Sequence, residues 1–336
     1  MTVKSPAQRI LEIAAGGWMA QAMSAAAALG VADELASGPR SAAELAKATG
    51  THPPSLYRLL RTCADIGLFT EHGDRVFALT ELGDALRSGR PGSMRNLATW
   101  VGLPEDRYTW AGLADSVRTG LPAFEAVHGQ PFFEYLRGHP GALGVFDAAM
   151  TEVSAQMIPP LVAAYDFGRF GTIVDVGGGR GIMLAAVLAA CPDTRGVLYD
   201  WPDVIAGAGG PLDEAGVRDR CEVTSGDFFE SVPPGGDAYL LSGVVHAWSD
   251  GPASRVLANC AAAMTGGGRV LVIDEVLPED GQPAPATKAM DLNMMVLAGG
   301  RKRSEADFAA LFDRAGLRLT SVVHGGARSI VEGVRI

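Results

Sequence analysis

Asp175-Val176-Gly177-Gly178-Gly179-Arg180-Gly181 ends one apolar run, which begins at Thr172, and leads into another that begins at Ile182. The first run reads as a buried strand. Ile182, Leu184, Ala185 and Leu188 read as the start of a helix. Glycines at 177, 179 and 181 let the backbone turn tightly between the two and approach a ligand closely. The spacing excludes two nucleotide motifs. The dinucleotide fingerprint needs Gly at position 182, where Ile stands, and no GxxxxGK[ST] occurs anywhere. Further apolar runs at 196–199, 221–224, 238–241 and 270–274 alternate with helical segments. Short, nearly continuous apolar runs suit parallel strands covered on both faces. The alternation predicts a doubly wound, Rossmann-like α/β domain. Residues 317–323 and 329–334, joined by Gly325-Gly326, read as a terminal antiparallel pair.

Each predicted strand carries polar residues at its carboxyl end, where ligands bind in open α/β sheets. The second strand ends at Asp200, placed to accept the two hydroxyls of a ribose. The third runs into Gly226-Asp227-Phe228-Phe229, with Asp227 suited to an adenine amino group and Phe228 to the ring. The fourth runs into Ser242, His246 and Trp248, and the fifth ends in Asp274-Glu275. Singly, these are turn formers, a core histidine and packing residues. Together on one sheet edge, and behind an acid followed by GxGxG, they form the pattern of a loop that binds S-adenosyl-L-methionine (AdoMet).

The rest of the chain reads differently. Its 336 residues exceed one average domain. We expect residues 1–95 to form one domain, 96–160 a helical connecting region that covers the substrate, and 161–336 the α/β domain. Ser41-Ala42-Ala43-Glu44 is a capping box. A second helix starts at Pro53-Pro54, and two short strands flank His72-Gly73-Asp74. Two helices and a hairpin of this size predict a winged helix. Residues 1–100 hold ten basic and nine acidic side chains, and the whole chain carries −10. Nucleic-acid binders draw affinity from a basic surface, so a dimerising role is expected instead of a DNA reader. Residues 13–32 hold no charge. They are mostly Ala and Gly, interrupted by Gln21 and Ser24. This suits a packed helix buried against a second subunit, not a membrane span. The four cysteines stand at least 30 residues apart with no CxxC. They predict no metal site and a cytoplasmic protein with reduced thiols.

Four segments carry a resemblance that covers nearly the whole chain. They are Asp175–Gly181, Gly226-Asp227-Phe228-Phe229, His246-Ala247-Trp248-Ser249-Asp250 and Gly299-Gly300-Arg301-Lys302-Arg303-Ser304. In these the sequence resembles the small-molecule O-methyltransferases of the plant caffeate and flavonoid type, in their bacterial natural-product branch. The resemblance implies AdoMet as methyl donor, S-adenosyl-L-homocysteine as product, no metal, and a homodimer formed through the N-terminal domain. It implies cofactor contacts at Gly177, Gly179, Asp200, Asp227, Phe228, Ser242 and Trp248, with Met150 and Ser154 near the methionine part. It places His246 on the catalytic base and Glu275 on an acid flanking that base. Asp291, Met290 and Met294 are candidates for the acceptor pocket. The sequence departs from the plant pattern at Ala247, where Asp is common, at Ser242, where Lys is common, and at Lys302, where a second flanking Glu is usual. Asp291 and Glu305 are the candidates to replace that acid.

The implied reaction transfers a methyl group to a hydroxyl, most readily a phenol, of an aromatic small molecule. A phenol with pKa near ~10 is a poor nucleophile while protonated, and a histidine near ~6.5 cannot ionise it fully beforehand. Proton removal concerted with attack avoids that step. Other readings stay open on sequence grounds: N- or C-methylation in the same site, a repurposed AdoMet-binding protein, and a winged-helix regulator. A fold does not secure a reaction.

Overall fold

The computed structural model describes residues 4–205, 209–279 and 281–336. It divides into two compact units. One is the chain up to Ala111 with Glu134–Val153; the other is Gly112–Phe133 with Ser154–Ile336. The helical stretch 96–160 is therefore shared between the units instead of forming a region of its own. The first three residues of the expected first domain lie outside the described residues. The Glu152 carboxylate explains part of the division. It accepts the backbone N–H groups of Asn96 and Leu97 at 2.9 and 3.0 Å. An acid there satisfies free donors at the start of the Arg95–Trp100 helix.

In the first unit, Pro6–Ala28 is a helix that starts with a Ser5/Gln8 capping box and Pro at its first position. The helix splits in character along its length. Ile10, Leu11, Ile13 and Trp18 are exposed, while Ser24, Ala26 and Ala27 are buried. Ala26 and Ala27 belong to the core that holds Leu45, Leu60, Cys63 and Phe77. No helix among the described residues is long and apolar enough to cross a membrane. Ser41 caps the helix Ala42–Ala48 as expected, and Pro53–Asp65 follows. The hairpin is β2 (Phe69–His72) with β3 (Val76–Leu79). The sequence reading missed a third strand, β1 (Arg40–Ser41), which pairs with β3. At two residues it is too short to show any periodicity.

In the second unit the sheet is built from β4 (Thr172–Val176), β5 (Arg195–Asp200), β6 (Cys221–Ser225), β7 (Ala238–Ser242) and β8 (Arg269–Asp274). Two further residue pairs, β9 (Val276–Leu277) and β10 (Arg303–Ser304), make a small parallel ladder of their own. The long hairpin β11 (Leu317–Gly325) and β12 (Arg328–Arg335) closes one edge. The order is β11-β12-β8-β7-β4-β5-β6, with β4 to β8 parallel and the hairpin antiparallel. Strand order reverses at β4, whose neighbours are β5 and β7. A crevice opens beyond the strand ends at such a point. All five parallel strands stand within one residue at either end of the apolar runs read from sequence. Val174, Leu240, Leu271 and Ile273 are buried, as a sheet covered on both faces requires.

Candidate active site

The glycine loop after β4 has Gly177, Gly179 and Gly181 at positive φ. Two of them show why glycine is needed. A Cβ on Gly177 would stand 2.8 Å from Val244 Cγ2, whereas one on Gly179 would meet nothing within 4 Å. At Gly179 only the left-handed backbone demands glycine, and the space above it is open. The N–H of Gly179 donates to Asp200 Oδ2 at 2.8 Å, and the N–H of Trp201 donates to Asp200 Oδ1 at 2.7 Å. The Asp200 carboxylate is thus fixed by two backbone donors and keeps lone pairs for a ligand. Behind it lies Asp175, whose carboxyl is pushed up to about 7 by burial and then by the charge of Asp200.

Asp227 accepts from the Phe229 N–H at 2.8 Å. Phe228, expected to pack on the adenine ring, is buried and stacks on Trp201, with ring centroids 5.2 Å apart. Trp201, half-buried beside Asp200, presents the aromatic surface that the sequence reading assigned to Phe228. Trp248 joins the same aromatic group through Phe229 at 4.8 Å and Phe133 at 5.8 Å. Open space over Gly179, a fixed carboxylate and a half-buried indole fit a ribose bearing an aromatic base. Ser242 ends β7 half-buried. Met150 and Ser154 lie on the helix Pro140–Ala164, but Met150 belongs to the first unit and Ser154 to the second.

His246 sits in the single turn Val245–Ala247 that follows β7. Its Nδ1 lies 2.8 Å from Asp274 Oδ1. The carboxylate beside the histidine is therefore Asp274 and not Glu275, a correction to the expectation above. Neighbouring residues on an extended chain turn opposite ways, so one of the two acids reaches the imidazole. Glu275 instead lies 3.8 Å from Lys302 Nζ. Lys302 occupies the position where a second acid was sought. Its Nζ is 2.7 Å from Asp274 Oδ1 and 3.0 Å from His246 Nδ1. Lys302 and Asp274 are both fully buried. Neither proposed replacement acid reaches the histidine. Asp291 accepts from the Lys302 backbone N–H at 2.7 Å, and Glu305 is exposed at the start of the helix Glu305–Arg314. Asp291 thereby ties the helix Pro285–Ala298 to the lysine. On that helix Met290 is exposed and Met294 half-buried.

Charge follows from this geometry. Burial opposes ionisation of Asp274, but the adjoining His246 and Lys302 outweigh it and hold the carboxyl below its ordinary range. His246 is pushed below its usual value, first by burial and further by Lys302 and Arg328, against the opposing pull of Asp274. The imidazole is neutral at neutral pH. Where Nδ1–H is donated to Asp274, Nε2 is left as an acceptor; with the proton on Nε2 instead, Nδ1 would accept from Lys302.

The segment after Gly299 braces this turn. A Cβ on Gly300 would stand 2.0 Å from the His246 carbonyl oxygen. Arg303, fully buried, donates to the carbonyls of Val245 and Trp248, each at 3.0 Å, and to Asp250 Oδ1 at 2.8 Å. The β9–β10 ladder pairs Arg303 with Val276, which puts Lys302 beside the end of β8. Sequence reasoning missed Asp274 as the partner and Trp201 altogether; it counted Phe133 only among aromatics that could line a pocket and gave Arg303 no role of its own. An aromatic directly after the strand-end Asp200 was a usable signal for Trp201.

Comparison with known proteins gives the following. The O-methyltransferase domain family matches residues 110–318, and the O-methyltransferase dimerisation domain matches residues 11–89. A phenazine O-methyltransferase of Lysobacter antibioticus is 42% identical, covering 96% of this chain and 94% of its own. An 8-amino-8-demethylriboflavin N,N-dimethyltransferase of Streptomyces davaonensis is 39% identical over 96% of this chain and 93% of its own. The crystal structure of LaPhzM superposes with a TM-score of 0.95 at 41% identity, covering 99% of this chain and all of that one. The neocarzinostatin-biosynthesis O-methyltransferase NcsB1, solved with S-adenosylmethionine and 2-hydroxy-5-methyl naphthoic acid, has a TM-score of 0.82 at 37% identity, covering 94% and 96%.

Proposed function

The chain belongs to the family of O-methyltransferases, and from that premise we propose that it methylates a hydroxyl of an aromatic small molecule with His246 as general base. The observation that carries this reading is the fixed His246 Nδ1, 2.8 Å from Asp274. It leaves Nε2 free to take the hydroxyl proton. AdoMet, bound at the glycine loop, supplies an electrophilic methyl on a positively charged sulfur.

The chain's own residues then have three tasks. Asp200 and the Gly177–Gly179 backbone hold the ribose, and Trp201 lies against the base. The turn carrying His246 and Trp248, gripped by Arg303, fixes the direction of approach; such orientation can supply about 7–11 kcal/mol in favourable systems. Nε2 of His246 removes the proton as the oxygen attacks, which is worth about 10²–10⁴-fold. The Asp274 carboxylate keeps the proton on Nδ1 and stabilises the imidazolium as it forms. Because Lys302 already neutralises Asp274, that stabilisation is weaker than a lone carboxylate would give. The arrangement therefore favours an acidic hydroxyl. The protein acts as a homodimer through the N-terminal unit, whose exposed Ile10, Leu11, Ile13 and Trp18 supply an apolar contact face.

The test is methyl transfer from AdoMet to a panel of hydroxylated aromatics, read by mass spectrometry, with His246→Ala in parallel. A methylated oxygen whose formation depends on His246 is expected. A second reading, N-methylation, is favoured by one observation: a relative named as an N,N-dimethyltransferase is 39% identical. An amine with a free lone pair needs no base, so product on nitrogen at full rate in His246→Ala would select it.

A further inference from the structure

Arg328 begins β12, beside the end of β8: its neighbour Ser329 pairs with Asp274. Arg328 is half-buried, and its Nε is buried without a hydrogen-bond partner. Among the described residues no carboxylate forms an ion pair with it. Its position relative to the base is fixed by a glycine. A side chain on Gly243 would meet His246 Cε1 at 3.5 Å, His246 Nε2 at 3.9 Å and Arg328 Nη1 at 3.8 Å. The space left by that missing side chain thus lies between the imidazole edge and the guanidinium. Gly243 has φ +70, so an L side chain is disfavoured there in any case.

The charges around that space are these. Lys302 is matched by Asp274 at 2.7 Å and flanked by Glu275 at 3.8 Å. Arg328 has no such partner. Nη1, the guanidinium atom nearest that space, can donate to a ligand oxygen placed beside the imidazole. A guanidinium presents a planar fork of donors that matches a carboxylate.

Resting on the O-methylation reading above, we propose that Arg328 is the counter-ion for the methyl acceptor. The acceptor class is then an aromatic hydroxy acid, with its carboxylate held by Arg328 and its hydroxyl at His246. The rival occupant is the carboxylate of the methyl donor. Sheet order argues against it. The donor loop and its partners Asp200 and Asp227 follow β4, β5 and β6, whereas Arg328 lies on β12, beyond both β7 and β8.

The test compares wild type with Arg328→Gln and Arg328→Lys. The probes are salicylate, 4-hydroxybenzoate and 1-hydroxy-2-naphthoate, each beside its neutral carboxamide. Binding is read by calorimetry in the presence of S-adenosyl-L-homocysteine, and methylated product by mass spectrometry. Wild type should bind at least one acid about ten- to a hundredfold more tightly than its amide, the worth of a hydrogen-bonded charge. Arg328→Gln should bring that preference below about threefold, and Arg328→Lys should keep part of it, since lysine retains the charge without the fork. Affinity for S-adenosyl-L-homocysteine should not change in either variant, which also reports an intact fold. Equal binding of acids and amides, or no binding of either at millimolar concentration, overturns the proposal. So does a preference that survives Arg328→Gln, or donor affinity that falls with it. If the acid preference holds but no oxygen is methylated, the O-methylation reading fails while the anion site stands.

Discussion

The two sides of the site are built in opposite ways. On the proposed donor side, Gly177, Gly179, Asp200 and Asp227 lie at the ends of three adjacent parallel strands, and the polar contacts found there are local. Asp200 is fixed by its own successor Trp201 and by a glycine one strand away; Asp227 accepts from Phe229 two residues on. On the base side, His246, Asp274, Lys302 and Arg303 come from segments up to 57 residues apart and meet through a two-residue ladder. The donor side is set by loop conformation. The base side is set by buried charge.

Removing the base should have the largest effect. His246→Ala is expected to lower turnover by about 10²–10⁴-fold with AdoMet affinity nearly unchanged. Initial rates and calorimetry on one preparation measure both. Loss of donor binding in this variant would mean the two sides are not separable.

Next comes the brace. Arg303→Met leaves the carbonyls of Val245 and Trp248 without their donor and should cost about 3 kcal/mol of stability. Denaturant unfolding followed in the second unit checks it. A variant as stable as wild type would mean that the turn holds His246 unaided.

On the donor side, Asp200→Ala should weaken AdoMet binding by about 1.5–3 kcal/mol, the range for hydrogen bonds to a charged group. Titration calorimetry decides it, and unchanged affinity would move the ribose elsewhere. His246→Ala and Asp200→Ala together should then show independent effects, one on turnover and one on affinity.

The smallest effect is a displacement along the pH axis. His246 is held below its usual value, so the folded state takes up its proton at lower pH than the unfolded chain does. Activity should therefore persist below pH ~6.5 before the acid limb begins. Stability from this group is complete above the unfolded value and declines as pH falls through it, because the unfolded chain binds the proton first. Lys302→Met removes one of the causes, so its acid limb should move to higher pH. A limb that stays in place would show that Lys302 does not set the histidine.

The same contrast explains what could be read without coordinates. Strands β4 to β8 were legible because each is a short apolar run whose burial needs no distant partner to be recognised. The placement of Asp200 and Asp227 at the sheet edge was legible because it follows from strand ends. The partner of His246 was not. Asp274 and Glu275 are adjacent acids, and which of them turns to the imidazole depends on where Lys302 arrives through the β9–β10 pairing. Lys302 itself read as a loss of support because its position in chain order says nothing of the carboxylate it meets. The burial of Phe228 was not legible, because aromatic residues at strand ends can serve either core or ligand, and here Trp201 stacks over it. Residues 13–32 were legible as uncharged, but the helix that holds most of them differs in burial between its two halves, which composition alone does not show.

The central claim is that Asp274, held by Lys302, sets the proton on the proposed base. The most direct measurement is turnover of Asp274→Asn and Glu275→Gln, side by side, on one acceptor at saturating AdoMet. Asp274→Asn should fall by about 10²–10⁴-fold, up to the worth of the base it orients. Glu275→Gln should lose less than about fivefold, as for a weak ion pair. A severe loss in Glu275→Gln with Asp274→Asn near full rate would contradict the account.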